Sequence, residues 1–261
     1  MLDRHSKIRA FALGAVVCCG VLPGRAQVSG VGVVVPVYLS NPALVGQFER
    51  YGWLGYEPSR FGLPELHWGM LGVVVPGTGW WSWGAELRGR ATGKFSQLSL
   101  RTAIGLGVTD FFHAGVATEV VRYAVEGVPA RWWGRMDLGA RVQVAPRLKA
   151  GVSVEDVVPR RWGRGVGVGQ RVTVGWGWEE EGWGASVDAV IATLAPPTFY
   201  LTTNTTPIPH TTLTLQLGSS PPQVRFSFLV RLREYALECT LGFHSALGWS
   251  QRFVLLYRWG E

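Results

Sequence analysis

The chain has 261 residues, of which 47% are hydrophobic, only 16% are charged and 35 are glycine, and its formal net charge is +7 at neutral pH. Beyond the N-terminal region no stretch approaches the roughly 20 consecutive apolar residues that a membrane-spanning helix requires, which excludes a helical membrane protein. Glycine, valine, threonine and aromatic residues dominate every long segment, so the composition indicates an all-β protein in one domain.

The N-terminus has the pattern of a secretory signal peptide. Basic residues precede an apolar run over residues 10–22, and a small-x-small site ends at Ala26. This run is too short to span a membrane, so we expect residues 1–26 to be removed on export, leaving residues 27–261 as the mature domain. Of the three cysteines only Cys239 then remains, and one cysteine forms no internal disulfide.

Segments in which apolar and polar residues alternate follow one another along the mature chain. Such a period of two is typical of strands, because successive side chains point to opposite faces. We count thirteen segments from Tyr51 onward, and residues 28–39 would add a fourteenth and make the number even, as a closed bacterial barrel normally requires. The clearest segments cover residues 81–90, 94–108, 111–121, 130–144, 171–178, 224–232, 235–244 and 248–259.

The last segment indicates that one of the two faces contacts lipid. One face of residues 248–259 begins at Trp249 and ends at Tyr257 and Trp259, with Gln251, Phe253 and Leu255 between them, while the other face carries Arg252 and Arg258. Aromatic residues at the ends of an apolar row are typical of a lipid-facing barrel strand. We therefore predict a transmembrane antiparallel β-barrel of about 14 strands, with 12 as the alternative, in contact with lipid and lipopolysaccharide of a Gram-negative outer membrane. A secreted soluble β-sandwich binding protein that buries the same aromatic residues is the rival fold.

Most connections between these segments are short. Residues 159–165 are rich in arginine and glycine, and residues 195–211 have proline-rich ends around a threonine-rich centre. We expect both to be longer loops, outside the barrel or folded into its lumen.

Several short motifs are spread over most of the mature chain. They are Asn41-Pro42-Ala43, residues 61–65, residues 136–140, and residues 244–250 ahead of a final Tyr257-Arg258-Trp259. Together they resemble the PorV/PorQ-like outer-membrane proteins, which are similar in turn to the FadL-type long-chain fatty-acid transporters. The resemblance implies a 14-stranded outer-membrane barrel and, for PorV-like members, a link to type IX protein secretion.

The polar face of the alternating segments is rich in arginine. Two functions are open for this face: a path or site for anions, or a set of ion pairs that fills and stiffens a narrow lumen. We favour the second, because Asp137 lies between Arg135 and Arg141 on one face and predicts a local network. The residues expected to line the lumen are Arg88, Arg90, Arg101, Arg131, Arg135, Asp137, Arg141, Arg171, Arg225, Arg231, Glu238, Arg252 and Arg258.

No motif indicates catalysis or a cofactor. His244 and Ser245 are adjacent, so in a strand they point to opposite faces and cannot form a nucleophile–base pair. An isoelectric point of about 9.7 is compatible with nucleic-acid binding, but in an exported protein it favours attraction to lipopolysaccharide. The sequence thus predicts a non-enzymatic outer-membrane barrel, accessory to protein secretion or transporting hydrophobic ligands, with a narrow anion-selective channel as the alternative.

Overall fold

The computed structural model describes residues 41–47, 50–58, 67–77, 79–157, 170–193 and 195–260. In this part of the chain a 3-10 helix, Pro42–Gln47, precedes fourteen strands. The expected signal peptide, the strand expected at residues 28–39 and the loop expected at residues 159–165 lie outside the described residues. The strands are β1 (Tyr51–Glu57), β2 (Trp68–Pro76), β3 (Trp81–Ala91), β4 (Phe95–Gly107), β5 (Phe112–Val125), β6 (Val128–Ala145), β7 (Leu148–Glu155), β8 (Arg171–Glu180), β9 (Trp183–Ala192), β10 (Ala195–Ile208), β11 (Thr211–Ser219), β12 (Pro222–Leu232), β13 (Tyr235–His244) and β14 (Gly248–Arg258).

The fourteen strands form one closed antiparallel barrel in sequence order. Each strand pairs with its neighbours along the chain, and β1 also pairs with β14, which places Leu54 opposite Leu255. A sheet closed on itself has no free edge and no second layer, so the predicted barrel is confirmed and the β-sandwich is excluded.

All fourteen strands of the described residues begin at or after Tyr51, so the count of thirteen segments from that residue was wrong. The missing strand is β10, which occupies most of the segment expected to be a loop. Its prolines at positions 196 and 197 fall inside a register shift between Ala195 and Thr198, and Pro207 falls inside another between Thr205 and Ile208, so no ladder bond is required of them. Proline is tolerated at such irregularities, and the β-branched residues that follow pair normally with β9 and β11.

The two ends of the barrel differ. At the terminal end, where β1 begins and β14 ends, every connection between strands is short. Residues 77–80 form one of the longest of these connections, and residues 233–234 form one of the shortest. At the opposite, distal end, the two longest connections comprise residues 58–67 and 156–170.

The outer face of the barrel is apolar. In β14, Trp249, Phe253 and Leu255 are between 42% and 62% exposed, whereas Val254 and Leu256 between them are buried. The same alternation recurs around the barrel, because each outward side chain has no protein to pack against. Exposed aromatic side chains lie near both ends, with Trp81, Trp176, Trp178, Trp183, Tyr235 and Tyr257 at the terminal end and Tyr56, Trp132, Phe199, Phe243 and Trp249 at the distal end.

The described residues include no helix that is long and apolar enough to cross a membrane.

Candidate functional site inside the barrel

A short helix is packed against the inner wall. Residues Asn41 to Val45 are fully buried, and the 3-10 helix that they begin, which we call the inner helix, contacts β2 to β6. The Asn41 Oδ1 atom accepts a hydrogen bond of 3.0 Å from the backbone N–H of Ala43, so Asn41 caps the helix. Its Nδ2 atom donates to the carbonyl oxygen of Ala140 in β6, at 3.4 Å. One asparagine therefore both starts the helix and attaches it to the wall.

Two glycines make room for this helix. A Cβ atom at Gly115 in β5 would lie 2.6 Å from the backbone nitrogen of Ala43. A Cβ atom at Gly139 in β6 would lie 2.8 Å from Pro42 Cδ and closer still to the Asn41 side chain. Side-chain carbons essentially never approach other heavy atoms so closely, so the helix can occupy this position only beside glycine.

An apolar cluster inside the barrel includes part of the inner helix. Val45 of the helix belongs to the same cluster as Trp53 and as Leu256 on the opposite side of the closing seam. The remaining buried members are Met70, Val74, Ala103, Ala117, Leu229 and Val254. Most of these side chains come from the halves of their strands nearer the terminal end.

A row of alternating charges lies beside the apolar cluster. Glu86, Arg101, Glu119 and Arg135 stand directly opposite one another on β3, β4, β5 and β6. Glu86 also accepts a hydrogen bond of 3.3 Å from the indole N–H of Trp53, which links the row to the cluster. Opposite charges in neighbouring cross-strand positions stabilise a sheet.

The ion pairs of this row centre on β6. Arg101 Nη1 lies 2.5 Å from Asp137 Oδ2 and 3.5 Å from Glu119 Oε2. Arg135 Nη2 lies 2.5 Å from the same Glu119 oxygen. Asp137 is fully buried, and its other oxygen accepts a hydrogen bond of 2.9 Å from the backbone N–H of Asp156. Each buried charge here has a partner of the opposite sign, as buried ions require.

The network extends to both sides. Arg135 Nη1 reaches Glu155 Oε2 at 3.3 Å, and Arg171 in β8 lies 3.7 Å from the other Glu155 oxygen. On β3, Arg88 pairs with Glu86. We call these residues the charge row; its four arginines and four carboxylates have formal charges that cancel, and its members are Arg88, Arg101, Arg135, Arg171, Glu86, Glu119, Asp137 and Glu155.

A separate ion pair lies on the opposite wall. Arg252 Nη2 of β14 is 2.7 Å from Glu238 Oε1 of β13. The Thr240 hydroxyl donates to the same oxygen at 2.7 Å and lies 2.9 Å from the Ser227 hydroxyl.

The thirteen residues expected in the lumen do not all have the same surroundings. Arg101, Asp137, Arg135 and Arg171 are brought together in the charge row, whereas Arg90 lies between the rings of Trp68 and Phe95, at 4.7 and 4.6 Å from their centroids. The buried members are Arg90, Arg101, Asp137, Arg141 and Glu238, the half-buried ones are Arg88, Arg135, Arg171, Arg225, Arg252 and Arg258, and the exposed ones are Arg131 and Arg231.

The sequence did not identify Glu119 or the inner helix as parts of this interior. Glu119 lies in a segment whose polar face was not assigned, and only strand pairing brings it between Arg101 and Arg135. The described residues contain no group of three or more histidine, cysteine, aspartate or glutamate side chains that could hold a metal ion.

The closed barrel, its apolar exterior and the helix inside it define a β-barrel of the outer-membrane type. Its fold is similar to that of the Ralstonia pickettii toluene transporter TbuX, with a TM-score of 0.68 and 12% identity over 89% of this chain and 97% of that chain. It is also similar to the P. putida toluene transporter TodX, with a TM-score of 0.68 and 10% identity over 90% of this chain and 97% of that one. A Pseudomonas aeruginosa FadL homologue gives a TM-score of 0.61 and 10% identity over 91% and 97%.

At such low identity these similarities show a shared fold. The expected resemblance to FadL-type barrels is confirmed at that level, and the PorV/PorQ-like resemblance stays a prediction. No family model matches the sequence, and no curated protein matches it.

Proposed function

We propose that this protein is a non-enzymatic barrel of the Gram-negative outer membrane that admits small hydrophobic ligands. The observation that carries the proposal is the closed 14-stranded barrel, which has the fold of two toluene transporters and holds an apolar cluster inside.

The outer face supports the location in a membrane. A belt of exposed apolar side chains bounded by aromatic residues at both ends is stable in lipid and costly in water. Outer-membrane barrels have short periplasmic turns and longer extracellular loops. The terminal end would therefore face the periplasm, and the distal end would face the outside.

The apolar cluster supports a hydrophobic ligand. Its side chains line the interior beside the inner helix, and an apolar solute that entered the barrel would find partners there that water does not provide. The charge row beside it is paired and electrically balanced, so it offers a passing anion no excess of positive charge.

Toluene uptake by whole Gram-negative cells tests the proposal, because the lipopolysaccharide leaflet slows apolar solutes that have no protein route. We expect cells that make the protein to take up labelled toluene several-fold faster than cells with an empty vector. Leu256→Ala, which truncates a buried member of the apolar cluster, should change the uptake rate. Leu255→Ala, the same truncation on the exposed outer face, should leave the rate unchanged. Equal rates with and without the protein would refute the proposal.

Two alternatives make different predictions for this protein. A narrow anion-selective channel would give small anion-selective currents in planar bilayers, whereas we expect no steady current. A secretion accessory would crosslink to a secretion-machinery protein from the distal connections, and this function rests on the PorV-like motifs alone.

A further inference from the structure

The inner wall has two dissimilar halves. The inner helix packs against β2 to β6, where most of the charge row also lies. Each strand from β7 to β13 contributes at least one buried serine or threonine to the inner wall, and one from each strand makes up a set that follows this wall; β3 and β4 also hold buried serines, Ser82 and Ser99. We call this set the hydroxyl belt; its members are Ser153, Thr173, Ser186, Thr202, Thr214, Ser227 and Thr240.

The belt is connected around the wall by strand pairing. Thr202 is opposite Ser186, and it is one side-chain step from Thr214, because its partner in β11 is Gln216. Between β8 and β9 the two belt residues, Thr173 and Ser186, are farther apart, because the residue opposite Thr173 is Val190. The directly opposed pairs are Ser153 with Thr173, Ser186 with Thr202, Thr214 with Ser227, and Ser227 with Thr240.

Four of the seven hydroxyls have unused hydrogen-bonding capacity. Those of Ser153, Thr173, Ser186 and Thr214 have no hydrogen-bond partner in the structure described, although these residues are at most 6% exposed. An unsatisfied buried hydroxyl costs about 1–3 kcal/mol, and native proteins rarely keep several of them together. Four such hydroxyls on neighbouring stretches of one wall can each form a hydrogen bond to a molecule inside the barrel.

The surroundings of the belt define which partner fits. On β7, β8 and β9 each hydroxyl is flanked on its own face by a glycine on one side, at 151, 175 and 184, and by a charged residue on the other, namely Glu155, Arg171 and Asp188. The nearest charges on these strands include Glu155 and Arg171, which already pair with each other. On β12, Leu229 of the apolar cluster follows Ser227 on the same face. A neutral hydrogen-bonding group attached to an apolar body matches this combination.

We propose that the hydroxyl belt binds the hydroxyl group of small amphipathic ligands of the phenol or aromatic-alcohol class. Serine and threonine hydroxyls both donate and accept hydrogen bonds, so they can bind the hydroxyl of an alcohol either as donors or as acceptors. The apolar cluster that borders the belt takes the ring. This inference rests on the proposed function and narrows its ligand class.

The test compares p-cresol with toluene, which differ by one phenolic hydroxyl, in calorimetric titrations of the purified barrel in detergent. The wild type should bind p-cresol about three- to tenfold more tightly, which corresponds to one neutral hydrogen bond. A triple variant, Thr173→Val, Ser186→Ala and Thr214→Val, should lose this preference and keep its affinity for toluene. A matched control exists on the outer face, where the Thr102 and Thr118 hydroxyls lie 2.9 Å apart and are exposed. Thr102→Val with Thr118→Val should keep the preference for p-cresol.

Equal affinities of the wild type for the two compounds, or a triple variant that still prefers p-cresol, would overturn the inference. If the triple variant does not fold, the single variants Ser186→Ala and Thr214→Val replace it, and each should reduce the preference at least twofold. If cells take up toluene but the purified barrel shows no preference for p-cresol, the role of the hydroxyl belt is refuted and the proposed function stands. Binding of neither compound would refute the belt, while absence of toluene uptake by cells would refute the proposed function.

Discussion

Replacing Gly139 by alanine should release the inner helix from the wall. The new methyl group would lie 2.8 Å from Pro42 Cδ and 3.0 Å from Asn41 Cγ, whereas ordinary contact begins at 3.4 Å. The helix therefore has to move by about 0.6 Å or more, and the Asn41 side chain has to give up its hydrogen bond to Ala140. Overpacking of this kind costs about 1–3 kcal/mol.

This overpacking destabilises the docked helix and has little effect on the barrel, because position 139 continues to pair with Gly115 and Ser153 in the sheet. A change of 1–3 kcal/mol shifts a two-state equilibrium about 5- to 150-fold. In planar bilayers we expect Gly139→Ala to show openings that the wild type lacks. Gly134→Ala on the same strand is the control, since a Cβ atom there meets only the Glu119 carbonyl oxygen, at 3.8 Å.

Heat-modifiable gel mobility should be the same for wild type and both variants, which shows that the barrel still closes. If Gly139→Ala conducts no more than Gly134→Ala, the inner helix is not what blocks the barrel, and the reasoning fails. If both variants conduct equally, the openings arise from general loosening of β6.

Three further predictions concern the outer face, the charge row and the helix cap. Leu138→Arg places a charge on the exposed outer face, so it should destabilise the barrel by about 2–4 kcal/mol and block membrane assembly, while Leu138→Ile should assemble normally. Arg101→Met leaves Asp137 without its nearest partner and should lower the free energy of unfolding in urea by about 3–5 kcal/mol; a loss below about 1 kcal/mol would show that the row adds little stability. Asn41→Ala removes the cap on Ala43 and should weaken helix docking by about 1 kcal/mol, measured as faster proteolysis near the helix, with Asn41→Asp as the variant that preserves the cap.

Strands with clean alternation were predictable from the sequence. The segment expected over residues 130–144 corresponds to β6, Val128–Ala145. Its pattern is readable because the two faces of a barrel wall contact different surroundings, so each position is selected for one of them. The same logic identified Arg135 and Asp137 as neighbours on one face.

β10 was not predictable by this logic. Prolines near both of its ends and its threonine-rich centre are typical of loops, and the register shifts that accommodate the prolines depend on the partner strands. The inner helix was not predictable from the sequence for a related reason. It is only six residues long, and what holds it is a pair of glycines, Gly115 and Gly139, that lie far along the chain.

The partners within the charge row also depend on pairing. Arg101, Glu119 and Arg135 are separated in sequence by whole strands, and they become neighbours only when β4, β5 and β6 are in register. Alternation assigns a face to each residue, but it does not determine which residues of two strands stand opposite each other.

The seam between β1 and β14 has a consequence for the order of assembly. Every other strand pair joins segments that are consecutive in the chain, whereas this one joins residues 51–56 to residues 253–258. Most of the hairpins have short loops and form quickly, whereas contacts between distant segments form late. The chain should therefore build a curved open sheet first, with β1 and β14 as its two unpaired edges. Both edges present free backbone groups until they meet, so a nascent barrel needs protection at these two strands.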